Sequence, residues 1–262
     1  MGIIFSFLIG LCFGSFLNCL VYRLSKKKTI IGRSFCPKCL HKLSWSENIP
    51  LFSFFFLKGK CKYCHQSISW QYPLIELAVG LLFAVAFAHL SPFVFSTKTI
   101  FSLFIQWFIF FILIFIFIYD LKYQEIELIV VGPAIALVFL FSVLEGTIFR
   151  EGLFILKQPL FISLLIGLSF FLLQYVMTKG KGIGLGDVWV GIFMAIILVQ
   201  PEDLLVALFS AYIIGALTGL FLLIFEKYKL KTKIPLAPFL VLGTFIAIFW
   251  GEKIINFYLS KL

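Results

Sequence analysis

IFSLFIQWFIFFILIFIFIYD, residues 100–120, decides the class of this fold: a long apolar run from Ile100 to Tyr119 closes on an aspartate. A helix that crosses a bilayer needs roughly 20 predominantly apolar residues, which is the length of this run. A carboxylate at the edge of hydrocarbon is costly, and is therefore a functional candidate by default. A second one closes Gly182-Ile-Gly-Leu-Gly-Asp187, which leads directly into the apolar residues Val188–Val199.

The rest of the chain repeats the apolar pattern. Of 262 residues, 62% are hydrophobic and 35 are Phe, while the charged fraction is 13%, about half of what soluble domains carry. Bilayer arithmetic places eight candidate spans at about 2–22, 73–91, 99–119, 128–144, 159–178, 182–199, 204–225 and 235–250. The expected fold is an all-α polytopic membrane protein of about eight transmembrane helices. The first span lacks a basic leader and contains Gly14-Ser15-Phe16-Leu17-Asn18, so it reads as a retained helix rather than a cleaved signal.

A formal charge of +10 raises the question of nucleic acid, but the positions of the charges exclude it as a partner. Segments 23–72, 120–127, 179–181 and 226–234 hold seventeen of the Lys and Arg residues; the opposite side holds Lys98, Arg150, Lys157, Lys253 and Lys261. The positive-inside rule then sets the N-terminus outside and residues 23–72 in the cytoplasm. The chain divides into a first helix (1–22), a cytoplasmic cysteine module (23–72) and a helical bundle (73–262) with membrane lipid around it.

Cys36-Pro-Lys-Cys39 and Cys61-Lys-Tyr-Cys64 are two C-x-x-C knuckles separated by 21 residues. Four thiolates at this spacing read as a zinc-ribbon-like loop holding structural Zn2+. A redox pair would call for a βαβ pattern around it, and disulfides are disfavoured on the reducing side of a membrane. A closed four-cysteine shell leaves no open position for catalysis, so the reaction is sought elsewhere.

Glu76, Asp120 and Asp187 are the acidic residues with long apolar flanks. The topology puts Asp120 and Asp187 at one side of the membrane and at similar depth. The sixth span is short, and counting back to restore its length draws Gly182, Gly184, Gly186 and Asp187 into the membrane zone. Irregular backbone there is tolerated only inside protein or beside a water-filled cavity, and glycines let a peptide strand approach. Two close carboxylates share a proton, one taking a proton from water and the other polarising a carbonyl. That is aspartic peptidase chemistry. The same residues also suit a carboxylate-based transporter or proton pathway, and a non-catalytic assembly protein docking through its cysteine loop is a third reading.

Taken together, Gly14–Asn18, Tyr22-Arg23-Leu24, the two knuckles, Asn48-Ile49-Pro50-Leu51, Gly59-Lys60-Cys61, Tyr72-Pro73-Leu74-Ile75-Glu76, Tyr119-Asp120-Leu121, Gly182–Asp187, Ile234-Pro235 and Pro238-Phe239-Leu240 resemble the type IV prepilin peptidase family. The resemblance covers nearly the whole length. It implies a GxGD-type membrane aspartic endopeptidase in the plasma (inner) membrane of a prokaryote, with Asp120 and Asp187 as the catalytic pair. It further implies substrates that are type IV prepilin or pseudopilin precursors, cut on the cytoplasmic side after a short basic leader. Members often then methylate the new N-terminal residue with S-adenosylmethionine; the peptidase step needs no cofactor. Glu76 matches the family's run, with a supporting or hydrogen-bonding role. Three positions depart from the pattern: Glu127 where Pro is usual, Trp189 where Lys is common, and Ile183 where Met is frequent.

Overall fold

In the computed structural model, residues 1–90, 97–148, 153–225 and 234–261 are described. Arg150 and Lys227, Lys229, Lys231 and Lys233, used above for topology, lie outside them. The α-helices among the described residues are α1 (Gly2–Ser25), α2 (Phe52–Phe56), α3 (Gln71–Leu90), α4 (Thr97–Tyr123), α5 (Leu128–Ile148), α6 (Leu153–Thr178), α7 (Leu185–Ile197), α8 (Pro201–Ile224) and α9 (Ala237–Leu259). Six of these (α1, α3, α4, α6, α8 and α9) are long and apolar enough to cross a membrane; α5 and α7 contribute shorter apolar stretches. Each of the eight expected spans falls on one of these eight helices, six of them long enough to cross, and the small extra helix α2 falls in the loop after the first. The chain forms two compact units, Met1–Phe115 and Ile116–Leu262.

In the first unit, α1 packs along α3. The contact is close because it is built on glycine: a Cβ on Gly14 would lie 2.6 Å from the Glu76 Cα, and one on Gly10 would lie 2.7 Å from the Gly80 Cα. Gly10 and Gly14 form a small-x-x-x-small pair, the pattern that brings helices together where lipid offers no hydrophobic drive. Asn18 bridges the same seam, its amide donating to the carbonyls of Gly14 (3.3 Å) and Tyr72 (3.2 Å). Arg23, counted above as a loop charge, is buried instead. Its guanidinium donates to the carbonyls of Thr29, Ile30, Gly32 and Arg33, so it caps the turn by which the chain leaves α1.

The second unit is organised around α7, which touches α5, α6, α8 and α9. Thirteen residues rise about 20 Å at 1.5 Å each, too short for a bilayer core of about 30 Å. The helix is tolerated because protein surrounds it: Val188, Val190, Gly191, Phe193, Met194, Ala195 and Ile196 are buried. Its approach to α6 again rests on glycine, since a Cβ on Gly167 would sit 2.8 Å from the Gly191 carbonyl. Just past its far end Ser163 donates to the Val199 carbonyl (2.9 Å), tying the α7–α8 connection to α6.

Candidate active site and four-cysteine centre

Asp120 lies one turn inside the end of α4 and is buried. Its Oδ2 accepts the backbone N–H of Ala237 at 3.1 Å. Ala237 is the first residue of α9, followed by Pro238, so Asp120 occupies the N-terminus of that helix, where free N–H groups and the macrodipole favour an anion.

Asp187 is held in a parallel way by a different helix. Gly180, at φ +71°, ends α6 by donating to the Tyr175 carbonyl (3.0 Å), the left-handed stop that glycine allows. After the extended residue Gly184, α7 begins. The Asp187 N–H donates to the Gly184 carbonyl (3.1 Å) and its Oδ2 accepts the Gly184 N–H (3.0 Å), a reciprocal cap at the helix start. Among the described residues, the second oxygen of each aspartate has no donor.

Both aspartates line one cleft of about 510 Å3, together with Gln124, Glu125, Ile126, Lys181, the glycines Gly182, Gly184 and Gly186, and Ile234–Leu236. The three motif glycines differ in what they do. A Cβ on Gly186 would lie 2.6 Å from Cγ1 and 2.7 Å from Cβ of Ile126, so only glycine lets α7 meet the α4–α5 loop. A Cβ on Gly182 would press on Thr178 at 3.0 Å, whereas Gly184 has room beside it. Gly186→Ala is therefore expected to displace Asp187 from Asp120 and to cut turnover about 100-fold, the scale of a 1 Å misplacement. Ile126→Gly in the same chain should recover part of that loss in a kinetic assay; no recovery would remove the steric explanation.

Glu127 starts α5, and its carbonyl accepts from Val130 and Val131. Its carboxylate accepts the hydroxyl of the buried Tyr119 at 3.1 Å, the residue preceding Asp120. Where the family pattern has a proline to stiffen this loop, this chain has a side-chain tie. Glu127→Ala and Tyr119→Phe should each lower stability by about 1 kcal/mol, and the double variant should cost little more than either single one. Thermal melts of the four proteins check this; additive losses would sever the link. Trp189, the second departure, is partly exposed on α7, and Ile183 lines the cleft.

Sequence reasoning missed the contributions of Ala237, Ile126 and Gln124. The proline at 238 was an available signal, because a proline inside the first turn marks a helix start with free donors. Glu76 belongs to the first unit, where it is buried and accepts the Leu51 N–H at 2.8 Å.

The cysteines gather in the first unit. The four Sγ atoms of Cys36, Cys39, Cys61 and Cys64 lie within 4.8 Å of one another, with Cys36 and Cys64 at 3.9 Å. A tetrahedron with metal–sulfur bonds of about 2.3 Å has sulfur–sulfur edges of about 3.8 Å, so the cluster is sized for a metal ion. The knuckles are copies of one another. Leu40 N–H donates to the Cys36 carbonyl and His65 N–H to the Cys61 carbonyl, and single bridges pair Phe35 with Lys42 and Lys60 with Ser67. Chiefly through the Cys64 backbone N–H, and despite burial, the Cys61 thiol is drawn down to about 7. Cys39, although the His41 backbone N–H lowers it, is pushed up to about 11 by desolvation and by its hydrogen bonds with the other three thiols.

Comparison with known proteins matches this division. Residues 8–90 fit the Bacterial Peptidase A24 N-terminal domain and residues 107–220 fit the Type IV leader peptidase family. A Bacillus subtilis (strain 168) protein is 31% identical over 97% of this chain and 96% of its own length. The chain belongs to the type IV leader peptidase family. An Aeromonas salmonicida relative is 27% identical over 98% of this chain and 93% of its own length, and a Myxococcus xanthus relative is 49% identical over 81 residues. All three carry the name prepilin leader peptidase/N-methyltransferase. No solved structure matches the chain. With this family and its apolar helices, the protein is a multi-pass membrane protein; the transport reading is not favoured.

Proposed function

We propose that this protein is an aspartic endopeptidase that removes the short basic leader of type IV prepilin-like precursors, with Asp120 and Asp187 as its catalytic pair. The observation that carries this reading is the shared cleft, in which each aspartate is tied through one oxygen to a helix N-terminus. A water held by the two free oxygens would lose a proton to one carboxylate, while the other, protonated, would polarise the scissile carbonyl. Gly184 leaves open backbone along which an extended peptide can lie. Among the described residues, three carboxylates, Asp120, Glu125 and Asp187, and one lysine, Lys181, line the cleft, a balance suited to a cationic leader.

In this reading the cleft and the cysteine module face the cytoplasm of a prokaryotic inner membrane, the N-terminus lies outside, and the chain works as helix 1–22, module 23–72 and bundle 73–262. The four cysteines would hold Zn2+ as a structural ion, tying the module together. Methylation of the product would draw on S-adenosylmethionine as methyl donor, and no residue is assigned to it. The experiment is processing of a co-expressed prepilin-like precursor followed by mass measurement. Loss of the leader supports the peptidase, and a further gain of one methyl group supports the second activity. An uncut precursor in the presence of membrane-inserted protein would overturn the proposal.

A further inference from the structure

The short helix α2 has a face that neither the metal centre nor the proposed chemistry uses. Phe52, Phe55 and Phe56 stand at i, i+3 and i+4, and so share one side of the helix. They are 57%, 63% and 82% exposed. Phe54 points the other way, buried against Trp70 at a ring distance of 4.9 Å. The helix thus has an inner aromatic that packs and three outer ones that stay largely exposed, Phe55 meeting the Phe54 ring edge-on at 5.8 Å.

The height of α2 is fixed by one hydrogen bond. The Leu51 N–H donates to Glu76 at 2.8 Å, and Glu76 lies five residues into α3, about 8 Å along a helix that crosses the membrane. To make this bond Leu51 adopts φ +61°, in a tight turn where Phe52 N–H donates to the Pro50 carbonyl (2.7 Å). A non-glycine residue held there costs of order 1 kcal/mol or more, so the position of α2 is imposed. A depth of about 8 Å from the start of a spanning helix falls within the roughly 5–10 Å over which interfacial amphipathic helices bury their apolar faces, and aromatic residues favour the same zone.

The surroundings carry the matching charge. Lys58, Lys60 and Lys62 follow α2 and are exposed, as are Trp45 and Trp70. Within 23–72 there are ten Lys or Arg and one acid, Glu47. That acid is turned onto the Ser44 N–H (2.8 Å), which holds it below the usual carboxylate range. The charge of Lys62 also lowers it, so this one acid offsets one lysine and the module keeps a large excess of positive charge.

We propose that α2 is an interfacial foot: Phe52, Phe55 and Phe56 insert among acyl chains while Lys58, Lys60 and Lys62 meet anionic phospholipid headgroups. The occupant of this face is the protein's own bilayer. The inference rests on the membrane-spanning fold and stands apart from the peptidase reading.

The test uses full-length protein in vesicles containing equal amounts of phosphatidylglycerol and phosphatidylethanolamine. The photoreactive residue p-benzoylphenylalanine replaces Phe55, Phe56 or, as a control on the metal-bearing knuckle, Tyr63. After illumination, mass spectrometry counts lipid adducts. Adducts at 55 and 56 should exceed those at 63 by at least about fivefold, with phosphatidylglycerol enriched over its share of the bilayer. Changing Lys58, Lys60 and Lys62 together to Gln should bring that enrichment back to the bulk ratio and leave total adducts in place. Adducts at 55 and 56 no higher than at 63, or crosslinks to protein alone, would overturn the insertion. Enrichment unchanged in the triple variant would overturn the headgroup contact.

Discussion

Asp120→Asn and Asp187→Asn should each reduce precursor cleavage by about 1,000-fold or more, the upper part of the range for a lost general acid or base. The substitution keeps size and hydrogen-bonding shape. Asn at 120 still offers an oxygen to the Ala237 N–H, and Asn at 187 still offers one to the Gly184 N–H, so both helix starts stay satisfied. What disappears is the capacity to gain and release a proton. The variants should therefore insert and melt like the parent while processing stops, and the double variant should be no worse than either single one, as for residues acting as a unit. Cleavage is read by mobility and mass of a co-expressed precursor. Full processing by either variant would sink the dyad. A loss shared with poor insertion would point to a structural role, which melting of the purified protein would reveal.

Cys36→Ser or Cys61→Ser should abolish tight metal binding and unfold residues 26–70 locally. Between Lys26 and Trp70 the buried side chains are Cys36, Phe54 and Cys61. Two of these three are metal ligands in the proposed centre, so the module has almost no apolar core to fall back on. Small modules of this kind draw their folding energy from the ion, about 10–16 kcal/mol in apparent binding for structural zinc. Elemental analysis should find one equivalent of zinc in the parent and essentially none in the variants. Limited proteolysis should cut the variants within the module while α1 and α3, packed through Gly10, Gly14 and Gly80, remain together. Unchanged metal content or unchanged protease resistance would contradict a structural ion.

Much of this was legible in the residues. Apolar run lengths gave the helices, because a bilayer imposes a length that composition must meet. The knuckle spacing gave the cysteine cluster, because tetrahedral coordination fixes how close two ligands on one turn must be. The short sixth span drew Asp187 and its glycines into one site. The rest depends on contacts remote in the chain. The partner of Asp120 is a backbone N–H more than a hundred residues away, and a backbone group leaves no mark on residue type. Ile126 against Gly186 is a steric relation that appears only once two elements meet. Arg23 entered only as one of the ten basic residues of segment 23–72, because carbonyl partners within its own loop carry no sequence signature.

The tie between Ala237 and Asp120 also sets a clock. Ala237 follows all the described cleft-lining residues in chain order, so a ribosome has made those side chains before the donor that fixes Asp120 exists. Under the proposed reaction, a nascent chain halted before α9 carries both aspartates and still lacks a finished site. Under that reaction, hydrolytic power arrives only once α9 has been made, after every helix before it.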